Sequence, residues 1–237
     1  MSIKFQLLMA MLLLTGIQLS AADIATLDIA ALEALTETEP DNLEAHYQLG
    51  VHYHRAAVLD CEESLNKALE HFEYVYANEP GRSDAKAFYG SATVLMARYV
   101  NVLSKMKVAR KGFEILDQSV AANPENFAVR LIRAANSIHC PSFLGRKETA
   151  ARDVDWLVTT IELNAQDIDP KSIKMGYYYA GKFALSEKNP KAVDYLTNSM
   201  NVDTETTMDA EIIEAYQLAE KLLNQQPGRP KLSHRPY

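Results

Sequence analysis

From Ile24 to Leu222 the apolar residues of this chain recur at helical intervals, and prolines break the periodic stretches. The first stretch, residues 24–37, carries Ile24, Leu27, Ala31, Leu32 and Leu35 and predicts a lone helix. The last, Asp209–Asn224, does the same with Ile212, Ile213, Tyr216 and Leu222. Between them four prolines stand at comparable places, in Glu39-Pro40-Asp41-Asn42, Glu79-Pro80-Gly81-Arg82, Asn123-Pro124-Glu125-Asn126 and Asp169-Pro170-Lys171-Ser172, spaced 40, 44 and 46 residues apart. A proline behind a periodic stretch, followed by Asp, Asn or Ser, ends one helix and caps the next. The pattern predicts an all-α chain built from four successive units.

Each unit carries a second regularity. A bulky residue precedes a small one at Leu49-Gly50, Tyr89-Gly90 and Tyr179-Ala180, and Ala134 holds the small site of the third unit behind Arg133. A small residue followed four positions later by a larger one then marks a second helix: Ala68 and Phe72, Gly112 and Leu116, Ala150 and Val154, Ala192 and Leu196. Residues four apart share one helix face, so each pair is a wedge that lets two helices approach. From the small residue of the first helix to that of the second the distances are 18, 22, 16 and 12 residues. The first three units therefore carry additions at the turn between their helices, and the fourth does not.

These residues resemble the tetratricopeptide (TPR) repeat, a helix-turn-helix unit with a bulky-small pair in its first helix, Ala and a large residue in its second, and a closing proline. Tyr179, Ala180, Phe183, Ala192, Leu196 and Ser199 fit the family spacing best, and the first unit fits with Leu49, Gly50, Tyr53, Ala68, Phe72 and Pro80. The third departs most, with Arg133 where a bulky apolar residue belongs. The likeness covers about residues 41–204. It implies a right-handed α-solenoid of about four TPR-like repeats, with the flanking helices as caps that spare the end repeats an exposed apolar face. By resemblance the first helices line an inner groove. Its facing stripe is Tyr47, Val51 and His54, then Ala87, Ser91 and Val94, then Leu131, Ala135 and Ile138, then Tyr177, Gly181 and Ala184. Family members that clamp a peptide carboxylate use Lys, Arg and Asn there, and this stripe lacks that set. Small apolar residues flanked by tyrosines suit an amphipathic helix, an extended apolar peptide or a small hydrophobic molecule, unless the lengthened helices fill the groove.

The N-terminus adds a compartment. Lys4 precedes an apolar run from Phe5 to Leu14, and Ser20-Ala21-Ala22 follows, which is the layout of a secretory signal peptide cut after Ala22. The run is shorter than the ~20 residues of a bilayer span. The expected organisation is a signal peptide at 1–22, the repeat domain at 23–225 and a disordered tail at 226–237, in a periplasmic or secreted protein. Nucleic acid is excluded as a partner by a formal net charge of −7. The one dense basic stretch, Lys105, Lys107, Arg110 and Lys111, reads as a solvated helix face or a local anionic contact.

Catalysis finds no footing. No Gly-x-Ser-x-Gly, phosphate-binding Gly-rich loop or His-Glu-x-x-His occurs, and no cofactor is implied. His52, His54, Cys61, His139 and Cys140 are zinc's preferred ligand types. Yet His52 and His54 point apart on a helix, and Cys61 and His139-Cys140 belong to the first and third units. With stacked helices about 8–10 Å apart, the two cysteines exceed the ~7 Å that a disulfide allows and are expected as free thiols. The carboxylate pairs Glu62 and Glu63, Asp153 and Asp155 read as wet helix faces, and Trp156 as core or a helix-helix contact. The turn from Pro141 to Arg146 either offers Phe143 to a partner or tucks it into the core. The expected function is a non-catalytic scaffold or adaptor for a protein or peptide partner. The alternative is a small-hydrophobic-ligand binder similar to the TPR-like periplasmic subunits of some solute transporters.

Overall fold

The computed structural model describes residues 19–58 and 61–224. The apolar run at 5–14 and the tail at 226–237 lie outside the described residues. All regular structure among the described residues is helical, and the chain divides into two compact units, one ending at Asn123 and the other starting at Pro124. The first holds α1 (Ala21–Ile24), α2 (Ile29–Thr38), α3 (Leu43–Val58), α4 (Glu62–Asn78), α5 (Ser83–Met96) and α6 (Val102–Ala122). The second holds α7 (Phe127–Ile138), α8 (Lys147–Asn164), α9 (Pro170–Ser186), α10 (Lys191–Met200) and α11 (Asp209–Asn224), with 3₁₀ turns at Ser142–Leu144 and Ala165–Asp167.

The prolines act as punctuation through the residue in front of them. Proline's ring bars its predecessor from helical dihedrals. Glu39, Glu79 and Asn123 accordingly leave the helix at nearly the same backbone angles, with φ/ψ of −129/74, −133/74 and −143/76 degrees. Asn42 and Asn126 then cap the next helices, accepting from the amides of Ala45 at 3.0 Å and Val129 at 3.1 Å. Arg82 makes no such cap. The fourth proline behaves differently. Pro170 is the first residue of α9, behind Asp169, whose carboxylate accepts from the Ser172 amide at 2.9 Å. A proline is tolerated there because a backbone N–H at the first helical position would have no intrahelical partner to lose.

Within the first unit α3 packs on α4 and α5 on α6. Gly50 is what permits the first approach, since a Cβ there would lie 2.6 Å from the Phe72 ring. Gly112 permits the second more strictly, because its Cβ would meet the Val94 amide nitrogen at 2.6 Å and the Gly90 carbonyl at 2.8 Å. Leu49, Ala68, Phe72 and Leu116 are fully buried as a result. Helix α2 packs on α3, with the Tyr53 hydroxyl donating to Glu33.

In the second unit α7 packs on α8, α9 on α10, and α11 on α10 and α9. Here the sequence register is off by one residue. The closest approach to Leu196 belongs to Gly181, at 2.5 Å for a notional Cβ, while Ala180 joins Val154 and Val158 in a separate cluster. Helix α11 is tied to α9 by buried Lys174, whose ammonium reaches Asp209 at 2.9 Å and the Thr204 carbonyl. That hydrogen bond from Lys174 holds the Asp209 carboxyl below its usual range.

Candidate functional site

The first unit brings Tyr47, Val51 and His54 of α3 together with Ser91 of α5, and it fills the space between them. Phe72 and Phe88 stack with centroids 5.3 Å apart. Tyr47 meets their edges at 6.2 and 6.1 Å, and His54 meets them at 6.4 and 5.4 Å. Val51 is buried in the core of the unit and Ser91 is buried too, so neither presents surface to a ligand. His54 Nε2 lies 2.9 Å from the Ser91 hydroxyl. Burial first, then the charge of Arg55, pushes the imidazole down to about 4, so it stays neutral at ordinary pH. Tyr47 is roofed by the Arg82 guanidinium at 3.9 Å, and burial followed by nearby Asp84 raises its hydroxyl. Arg82 also pairs with Glu44 at 2.8 Å, which fixes the uncapped start of α5 against α3. Phe88 and Arg82 are the members that the repeat spacing did not single out. The aromatic ring immediately ahead of Tyr89-Gly90 was the available signal.

The second unit's stripe is open in part, with Gly181 and Ala184 buried. Leu131, Ala135 and Ile138 on α7 and Tyr177 on α9 are all half-buried, on two helices that pack side by side. Ile138 leans on the Val154, Val158 and Ala180 cluster. Burial first, then Glu162, raises the Tyr177 hydroxyl.

Arg133, at the position where the repeat calls for a bulky apolar residue, meets a buried carboxylate. Asp153 is 0 % exposed. Arg133 grips it with two hydrogen bonds, Nε to Oδ2 at 2.8 Å and Nη2 to Oδ1 at 2.7 Å, and Arg130 Nη1 adds a third at 3.2 Å. Arg130 also donates from Nε to the Pro124 carbonyl at 2.6 Å and lies over the Trp156 ring at 4.4 Å. The expectation that Asp153 belongs to a wet face is therefore wrong. A carboxylate facing two guanidinium forks can be buried, because its lone pairs are satisfied and its charge is compensated. Asp155, two residues on, is exposed as expected. Trp156 makes contacts with both Arg130 and Phe127, the latter at 6.2 Å.

Phe143 is 69 % exposed, which overturns the tucked alternative for the turn at 141–146. Cys61, at the start of α4, and Cys140, behind α7, are both free thiols. Among the described residues no three His, Cys, Asp or Glu side chains converge on a metal site, and no helix is long and apolar enough to cross a membrane.

Helix pairs wedged by a small residue against a large one, joined through matched proline turns, define an all-α, TPR-like repeat architecture. Among solved structures the chain is similar to a thermophilic TPR protein of Thermus thermophilus, with a TM-score of 0.61 and 16% identity over 81% of this chain and 88% of that one. At such identity the likeness establishes the fold. No family model matches the sequence, and no curated protein matches it.

Proposed function

We propose that this protein binds a protein or peptide partner as a scaffold or adaptor, and that it does so outside the cytoplasm. The observation that carries the reading is the partly exposed apolar row on two adjacent helices of the second unit. Leu131, Ala135 and Tyr177 are half-exposed there, with Gly181 and Ala184 of the same stripe buried, whereas in the first unit Phe72 and Phe88 pack between Tyr47 and His54. Apolar residues at one-turn spacing beside a tyrosine suit a short helical or extended apolar segment. A photoreactive residue at Leu131 or Tyr177 is expected to cross-link a partner in the producing cell, and one at Val51 is expected to give none. Recovery of nothing at Leu131 and Tyr177 would sink this reading.

Export rests on the apolar run at 5–14 and the small residues Ser20 and Ala22. Ser20 also caps α1, with its hydroxyl 3.2 Å from the Asp23 amide, so cleavage after Ala22 would trim that helix to its last residues. The exported chain is expected to begin at Asp23. Intact-mass measurement finding the full length in the cytoplasm would refute it.

A further inference from the structure

The largest of the inter-helix additions, in the second repeat, becomes an exposed end of α6. This helix runs for 21 residues, and its first buried side chain is Ala109. The turns from Val102 to Val108, about 10 Å of helix, thus hold no fully buried side chain, and only Ser104 and Val108 are half-buried. They are not polar. Val102 is 80 %, Leu103 93 % and Met106 40 % exposed, next to Lys105, Lys107, Arg110 and Lys111, all exposed. At about 100° per residue, Val102, Met106, Arg110, Leu103, Lys107 and Lys111 spread over one half of the helix circumference, and Lys105 flanks them. No acidic residue occurs between Asn101 and Phe113, and among the described residues no carboxylate pairs with these four cations. The chain as a whole has a formal charge of −7, so this is a local reversal of sign.

We propose that this exposed end of α6 is a membrane-docking site that inserts Val102, Leu103 and Met106 into the headgroup region of an anionic bilayer, with the four cations on the lipid phosphates. A ligand pocket would recess its apolar residues, and a protein partner would need a hole shaped for them. An exposed apolar helix end beside three lysines and an arginine instead suits a soft, negatively charged surface with no shape of its own. The local positive field orients the otherwise anionic protein so that this end meets the membrane first. The proposal does not depend on the partner reading above, which concerns the second unit.

The test is flotation of the full chain with vesicles of phosphatidylcholine containing one-third phosphatidylglycerol, against phosphatidylcholine alone, at low and high salt. Binding is expected on the anionic vesicles only and is released by salt. Each cation removed, as in Lys107→Ala or Lys111→Ala, should weaken it about fivefold, and Leu103→Asp should weaken it further. These side chains are exposed, so helix content by circular dichroism should not change. A second readout separates this end of α6 from residues 1–18. With Cys61→Ser and Cys140→Ser, an environment-sensitive dye on Leu103→Cys should shift to the blue on anionic vesicles, while the same dye on Ala122→Cys, at the far end of the helix, should not. Equal flotation of parent and variants, or no shift at position 103, overturns the proposal. So does a shift induced by polyglutamate and not by vesicles, which would assign the patch to an acidic polypeptide.

Discussion

In the α3/α4 pair the bulky position of the first helix is Leu49, and the second helix answers with Phe72, both fully buried around Gly50. In the α7/α8 pair the same position is Arg133, and the second helix answers with Asp153. Both pairs close, by different physics. Apolar burial is nondirectional and tolerates rearrangement of similar volume. A buried ion cluster needs its angles and its full complement of partners, and it contributes little net stability beyond what apolar residues of the same shape would give. The comparison teaches that a helix pair of this repeat can close on either chemistry, and that the ionic contact uses the residue before Val154, the counterpart of Phe72, while Val154 itself stays in an apolar cluster.

Breaking either contact should give the largest effects. Asp153→Ala strands two guanidinium groups and should cost about 3–5 kcal/mol. Phe72→Ala opens a cavity and should cost a similar ~3–5 kcal/mol. What separates the two regions is rescue. Replacing Arg130, Arg133 and Asp153 together with leucine or methionine should recover most of the loss in chemical denaturation, whereas no single neighbouring change should rescue Phe72→Ala. If Asp153→Ala cost under about 1 kcal/mol, the cluster would be behaving as a solvated surface pair and the contrast would collapse.

A pH titration should sharpen the comparison from the other side. In the first unit His54 is held at about 4, and so is His71, by burial first and then by His46, whose Nδ1 lies 2.9 Å from the Nδ1 of His71. Their ordinary value is 6.5. Because the folded values are depressed, the unfolded chain takes up protons first as pH falls. The stability these neutral rings support is complete above about 6.5 and is lost progressively down to about 4. The loss should reach roughly 3 kcal/mol for His54 and less for the more solvated His71. His54→Asn should flatten the urea midpoint between those limits; an unchanged slope would count against a buried neutral ring.

The smallest predicted difference concerns glycine. Gly112→Ala drives a methyl against backbone atoms at 2.6 and 2.8 Å, whereas Gly181→Ala meets only the Leu196 side chain. After the ~1 kcal/mol that alanine gains as a helix former, Gly112→Ala should still lose about 1–2 kcal/mol. Gly181→Ala should lose less. Thermal melts of the two variants showing the reverse order would mean that α5 and α6 can slide apart.

The helix pairs were legible in the sequence because a wedge needs only spacing and size, and Ala68/Phe72, Gly112/Leu116, Ala150/Val154 and Ala192/Leu196 carry both. Each of those residues is buried. The ionic contact was not legible. Arg133 stood out as a misfit and Asp153 as one of a carboxylate pair, and nothing local says that residues twenty apart on two helices meet. The fourth repeat misled in another way, since Pro170 opens a helix where the other three prolines lie in turns, and the small residue facing Leu196 is Gly181 rather than Ala180. For the candidate site, periodicity placed Tyr47, Val51, His54 and Ser91 near one another. It could not reveal that Phe88, a residue with no mark in the repeat pattern, takes the space between them.

The matched dihedrals in front of Pro40 and Pro80 have a consequence for how such a chain can grow. Glu39 and Glu79 hand the backbone on in the same direction, so the segment 40–79 has interchangeable ends. A second copy spliced after Glu79 would join Glu79 to Pro40 at a junction that the protein already contains. The α3/α4 pair is thus a cassette at its backbone junctions, while the contacts that Arg82 and Phe88 make from α5 would fall to Asn42 and Gln48 of the added copy.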